Sequence, residues 1–263
     1  MDLSLKDRVV MVAAASEGIG YGIAEALARE GARLSIASRS REKIERAAKT
    51  LREHYDVDCN AHVMDAANAE SIRSWSDATL NDFGDVQGLV VNAGGPPPGN
   101  FDDFDDAAWS QACDLTLMSA VRMIRCVLPS MRRQESGAIL TLTSSSIREP
   151  IDHLLLSNVF RAGVVALVKS LANELAGDGI RVNNLVPGRI DTARVRSLDT
   201  MVAGKKGTAL EDEQEEQYAA IPLGRYGTIG DMGSAGAFLL SGAASYITGA
   251  TLVVDGGKMR SVT

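Results

Sequence analysis

A chain of 263 residues, 45% hydrophobic and 23% charged, has ordinary globular composition, and its length allows one or two domains. Its net charge of −7 argues against a nucleic-acid partner or an anionic membrane surface. No apolar run is read as reaching membrane-spanning length, and Asp2, Lys6, Asp7 and Arg8 interrupt the start where a signal peptide would carry its apolar core. Cys59, Cys113 and Cys126 lie far apart without C-x-x-C spacing, so reduced, buried thiols of a cytoplasmic protein are expected. His54, His62 and His153 form no ligand motif, and no metal is expected.

In chain order, Val9-Val10-Met11-Val12 is too short for a helix and rich in valine, which predicts a buried strand. A glycine-bearing turn follows, then helical spacing over 21–30 with Ile23 and Leu27 on one side. Strand, glycine turn and helix start together make an anion site, because free N–H groups and the helix dipole point at it. Gly18 and Gly20 let a pyrophosphate approach the backbone. A second strand is predicted over 33–38, then a helix over 41–53 with Ser40 as its N-cap. Strands over 59–64 and 88–91 enclose a helix over 71–83. Pro96-Pro97-Pro98-Gly99-Asn100 is a loop. One long helix is expected over 107–133, a strand over 138–143, a helix over 154–176 and a strand over 180–186. The polar stretch 189–228 carries the run Glu211-Asp212-Glu213-Gln214-Glu215-Glu216, read as a solvated helix face. A helix over 232–241 and a strand over 251–254 close the pattern.

Strands and helices alternate with no linker and no repeat. The expected fold is therefore α/β, a single-domain Rossmann-type doubly wound parallel sheet of about seven strands with helices on both faces. Such sheets bind ligands at the carboxyl ends of their strands. Gly18, Arg39, Asp65, Asn92, Ser144 and Pro187 mark six of those ends.

With these residues in place, the sequence resembles the short-chain dehydrogenase/reductase family over about 5–257, and is similar to 3-oxoacyl-carrier-protein reductases. The family's T-G-x-x-x-G-I-G falls on 13–20, its N-A-G on Asn92-Ala93-Gly94, its strand-end serine on Ser144, its V-N-x-x-x-P-G on 182–188 and its D-G-G on Asp255-Gly256-Gly257. The resemblance implies a nicotinamide dinucleotide bound by Ser16, Glu17, Gly18, Ile19, Gly20, Ser38, Arg39, Asp65, Asn92, Ala93, Gly94, Arg161, Pro187, Gly188, Ile190 and Thr192. Arg39 suits the 2′-phosphate of NADP, whereas the charge of Glu17 opposes it; on balance NADP is favoured over NAD. A solvated charge is the alternative for Arg39, and a turn cap for Asp65. The family also implies a small-molecule or acyl-type carbonyl substrate and a homodimer or homotetramer. A lid is expected over 193–221, and Arg148, Arg189 and Arg194 are candidates for attracting an acidic substrate.

The chain departs from the family at the reacting centre. The family's tyrosine and lysine positions fall on Ser157 and Arg161, its helical asparagine on Thr116 and its first motif glycine on Ala14. Ser144, thirteen residues before Ser157, keeps the family residue; a plain turn hydrogen bond is its alternative reading. A serine hydroxyl is a far weaker acid than a phenol, and Arg161 keeps its proton at working pH. Ser144, Ser157 and Arg161 are thus the expected catalytic set. Proton delivery falls to water held by the serines or to His153, which also reads as a surface loop residue. Three functions follow: an NAD(P)(H)-dependent oxidoreductase with a rearranged acid, a nucleotide-binding pseudoenzyme or regulator, and a non-redox reaction on the same frame.

Overall fold

In the computed structural model, which describes residues 2–261, the apolar runs become β1 (Val9–Ala13), β2 (Arg33–Ser38), β3 (Cys59–Val63), β4 (Gly88–Val91), β5 (Gly137–Leu142), β6 (Ile180–Pro187) and β7 (Thr251–Val254). All pair in parallel, in the order β3-β2-β1-β4-β5-β6-β7. Successive side chains of a strand face opposite ways, so a sheet covered on both faces needs apolar residues at every position. In β1, Val10 and Val12 enter one core, and Val9, Met11 and Ala13 enter the other.

Helices α1 (Gly18–Arg29), α2 (Arg41–Tyr55) and α9 (Ile229–Leu240) cover the first core with Ile23, Leu27, Ile44, Leu51 and Leu239. The second core is covered by α3 (Ala69–Phe83), α5 (Ser119–Arg133) and α6 (Leu155–Glu174), through Ile72, Trp75, Met123, Val127, Val164 and Val168. The α1 and α9 backbones nearly touch: a Cβ on Gly22 would lie 2.4 Å from the Ile229 carbonyl oxygen, and one on Gly233 2.3 Å from that of Gly22. The expected cap of α2 is present, Ser40 Oγ accepting from the Lys43 N–H at 3.4 Å. This doubly wound α/β sheet is the architecture expected from the sequence.

Four expectations are corrected. The helix expected over 107–133 is broken into α4 (Asp106–Cys113), a π-helical turn (Asp114–Met118) and α5. Its cause is local: Ser119 Oγ donates to the Leu115 carbonyl at 2.6 Å and the Thr116 carbonyl at 3.2 Å, diverting acceptors from the helical ladder. The polar stretch 189–228 holds two helices, α7 (Ala193–Lys206) and α8 (Leu210–Ala219). Glu213, in the run read as solvated, is buried, held by Lys206 Nζ at 2.7 Å and Gln217 Nε2 at 2.9 Å. Finally, α6 is long and apolar enough, by length and composition, to cross a membrane. Here one face, with Val164, Val168 and Ala172, is buried in the second core, and the other is open.

Candidate functional site

The strand order reverses between β1 and β4, because β2 lies on one side of β1 and β4 on the other. That reversal opens a crevice at the strand ends. Ala14, Ser16 and Glu17 leave β1 on one wall; Asn92, Ala93, Gly94 and Gly95 leave β4 on the other. They line a cavity of about 340 Å³, together with Ser38, Arg39, Ser40, Lys43 and Asp65. Ala14 has φ +50°, the left-handed region in which an L residue is strained. Its carbonyl accepts from Asn92 Nδ2 at 3.5 Å, tying the two walls together, and a Cβ on Gly20 would come within 2.3 Å of the same oxygen.

At the far end, Arg39 is exposed and forms no side-chain hydrogen bond or ion pair among the described residues. Glu17, expected to oppose an anion, is bound by Lys43 Nζ at 3.0 Å, which offsets its charge. Lys43 escaped the sequence reading. Its signal was the Ser40 cap: the third residue after it lies one helical turn back, beside the end of β2. Asp65 lines the cavity and also caps its own turn, Oδ1 accepting from the Ala67 N–H at 3.0 Å. Ser38 is buried at the same end.

A second hollow, of about 10 Å³, opens beside Asn92, Ala93 and Gly94 and is lined by Thr116 and Arg161. Its volume is that of roughly one water. Arg161 Nη1 donates to the carbonyls of Leu142 at 3.0 Å and Thr143 at 3.3 Å, and Nε donates to Ser157 Oγ at 3.1 Å. Burial, and then the charge of Arg194, push the Arg161 guanidinium down to about 10, so it is still a cation near neutrality. The four-residue helical spacing that pairs Ser157 with Arg161 was legible in the sequence. The bond to the ends of β5 was not. Thr116 Oγ1, delivered by the π-helical turn, is buried with no hydrogen-bond partner. Ser144 caps a 3-10 turn over Ser145–Ile147 that packs against α6, its Oγ accepting from the Ser146 N–H at 3.2 Å. His153 is exposed in the loop before α6, its carbonyl bonded to the Gly99 N–H at 2.6 Å.

The remaining expected residues are placed by the fold rather than gathered along the cavity. Gly18 starts α1 at φ +63°, and a Cβ there would meet Thr192 Cγ2 at 3.6 Å, so the phosphate turn and the start of α7 are neighbours. Ile19 is half-buried on α1 and packs against the first core. Pro187 ends β6, and the Gly188 N–H bonds the Val254 carbonyl at 2.8 Å. Gly188 lies so close to Asp255 that a Cβ would fall 2.5 Å from it. The Ile190 side chain is buried in the first core. Arg189 is held inside the segment by buried Asp199, whose other oxygen accepts from Tyr226 Oη at 2.9 Å. It is therefore removed from the candidates for drawing in an acidic substrate. Burial and the Asp199 bond push the Tyr226 hydroxyl up to about 12.

The family model described as enoyl-(acyl carrier protein) reductase matches residues 13–258. The 3-oxoacyl-[acyl-carrier-protein] reductase of Salmonella typhimurium is 32% identical over 257 residues, 97% of this chain and 98% of the relative. Dehydrogenase/reductase SDR family member 4 of Oryctolagus cuniculus is 32% identical over 256 residues, 96% of this chain and 94% of that protein. The chain belongs to the short-chain dehydrogenase/reductase family. As a short-chain dehydrogenase/reductase it is an oxidoreductase resembling the 3-oxoacyl reductases. The L-sorbose reductase of Gluconobacter frateurii, solved with NADPH and L-sorbose, superposes with a TM-score of 0.95 at 28% identity, over 100% of both chains.

Proposed function

We propose that this short-chain dehydrogenase/reductase is an NADP(H)-dependent reductase of a small-molecule or acyl-type carbonyl compound. The reading is carried by one observation: a single crevice has paired basic and hydroxyl groups at one end and the Ser157–Arg161 pair beside the other. A nicotinamide dinucleotide fits the residues present. Gly94 turns bare backbone to open space, where a Cβ would meet nothing within 4 Å, and Asn92 to Gly95 leave one wall low. Arg39 and Lys43 suit a 2′-phosphate, Lys43 exchanging Glu17 for the phosphate. The solved relative with NADPH supports the same choice.

When bound, the cofactor supplies hydride to the carbonyl carbon. The chain's own part is to receive the negative charge that then grows on the carbonyl oxygen. The Arg161 Nε–H occupies a lone pair of Ser157 Oγ, which leaves the Ser157 hydroxyl hydrogen free to point elsewhere. Ser144 Oγ likewise accepts from backbone and keeps its hydrogen. In this reading Ser144 and Ser157, the latter backed by the Arg161 cation, supply hydroxyl donors to the oxyanion in place of the missing phenol. The proton comes from water through these hydroxyls. The expected result is that Ser144→Ala lowers kcat for NADPH oxidation by about a hundredfold without loss of NADPH binding. Unchanged turnover in that variant contradicts the assigned chemistry.

A second reading, a nucleotide-binding pseudoenzyme, is favoured by the tyrosines. None lines either hollow, and the Tyr226 hydroxyl is bound to Asp199. It predicts NADPH binding with no turnover over a broad carbonyl panel. In the reading we prefer, the segment 193–221 is the substrate lid, and the open face of α6, with Val159 exposed, is an interface of a homodimer or homotetramer. The free cysteines, with the buried Cys59 thiol pushed up to about 12, suit a reducing cytoplasm.

A further inference from the structure

Of the four arginines in the segment 189–228, three are paired with acids. Arg189 is bound to Asp199, Arg196 to Asp191 at 2.7 and 2.9 Å, and Arg225 to Asp231 at 2.8 Å. Arg194 alone among the arginines of this segment forms no hydrogen bond or ion pair among the described residues. It is also the one that crosses the crevice. Its guanidinium lies against the β4 loop, so close that a Cβ on Gly95 would sit 2.7 Å from Nη2. Arg161 lines the hollow beside Asn92 to Gly94, along the same loop; its bonds go only to neutral groups and its Nη2 takes no part in them. The two charges sense one another, since Arg194 disfavours the protonated form of Arg161. Thr116 Oγ1, buried and without a partner, lines the hollow beside Arg161.

Like charges facing one another across a cleft raise the free energy of the empty site. Among the described residues neither cation is paired with an acid. Two cations and an unsatisfied hydroxyl are complementary to an anionic oxygen group. We propose that the substrate is a carbonyl compound that also bears a carboxylate, and that Arg194 on the lid, with Arg161 on the floor, recognises that carboxylate. The inference rests on the reductase reading and adds the class of substrate to it. Closure of α7 over the crevice is then favoured by the bound anion, because the anion offsets the repulsion that the empty site carries.

The test is a binding measurement on the NADPH-loaded protein, following the fluorescence of the bound nicotinamide. The probes are pyruvate, acetoacetate and levulinate, each against its methyl ester. The expected result is that at least one acid binds about tenfold or more tightly than its ester, the effect of a charge-assisted pair. Arg194→Met is expected to bring acid and ester together, and Arg194→Lys to keep part of the difference, with NADPH affinity unchanged in both. Equal binding of acids and esters, or saturable binding of none of the acids, overturns the proposal and leaves the reductase reading standing. A loss of NADPH affinity of about tenfold in Arg194→Met, with the acid-to-ester ratio unchanged, also overturns it, because Arg194 then serves the cofactor's phosphates. Failure of the wild-type protein to bind NADPH overturns the reductase reading, and this inference with it.

Discussion

Ala14 holds a left-handed backbone conformation, φ +50°, in the turn that leaves β1. An L side chain there crowds the following carbonyl, at about 1–2 kcal/mol. The conformation persists because its neighbours fix it: Asn92 Nδ2 bonds the Ala14 carbonyl, and α1 crosses against the same oxygen at Gly20. Replacing Ala14 with glycine relieves the strain but adds freedom to the unfolded chain. The net expectation is a gain of about 1 kcal/mol, read from the urea midpoint. A loss of stability in Ala14→Gly contradicts this account of the turn. The sequence marks Ala14 as a departure from the family's motif glycine, but its backbone angle is not legible there. Arg161 illustrates the same boundary. Helical spacing announces its pairing with Ser157, but only the packing of α6 against β5 brings its guanidinium to the Leu142 and Thr143 carbonyls. Lys43 is the residue missed, because a side chain on the next element was not projected back toward β2; Thr116 was named as the family's asparagine position, but the π-helical turn that delivers it has no signature in apolar spacing.

Among the elements, α9 shows how a carboxylate fixes the start of a helix. Asp231 and Thr228 form a reciprocal cap: the Thr228 N–H donates to Asp231 Oδ2 at 2.7 Å, and the Asp231 N–H donates to Thr228 Oγ1 at 3.1 Å. Arg225 Nη1 adds a third bond at 2.8 Å. The bond from Arg225, followed by that from the Thr228 backbone, holds the Asp231 carboxyl down to about 2. An unfolded aspartate titrates near pH ~4, so the folded state binds the proton less tightly. The stabilisation is therefore complete above about pH 4 and disappears as pH falls through about 2. Asp231→Asn is expected to lower the urea midpoint near neutral pH, and the gap from wild type is expected to close on acidification. A gap that is constant with pH contradicts the assignment. Elements whose order is set by apolar period, the seven strands and the helices that cover them, were readable in advance. Helix α7 was not, and of α8 only the acidic run was read as helical and then as solvated, because the ion pairs Arg189–Asp199 and Lys206–Glu213 organise this segment in place of an apolar stripe. A charge run reads as solvated until its partner is known to fold back over it.

At the scale of the whole molecule, the strand order places the crevice, and the crevice gathers residues from the ends of β1, β2, β3 and β4, which no local pattern connects. The family motifs made that gathering legible at the phosphate turn and the Asn92 loop. They said less of the segment 193–221 and of the loop 96–100, whose Gly99 pairs with Leu154 ahead of α6. The central claim, an NADP(H)-dependent oxidoreductase, depends on the far end of the crevice, where Arg39 and Lys43 stand around Ser40. Calorimetric titration of the protein with NADPH and with NADH, repeated on Arg39→Ala and Lys43→Ala, tests it most directly. The account predicts saturable NADPH binding at micromolar levels, NADH weaker by about tenfold or more, and a gap that shrinks in each variant. Failure to bind either nucleotide, or NADPH and NADH binding alike with both variants unaffected, would contradict it.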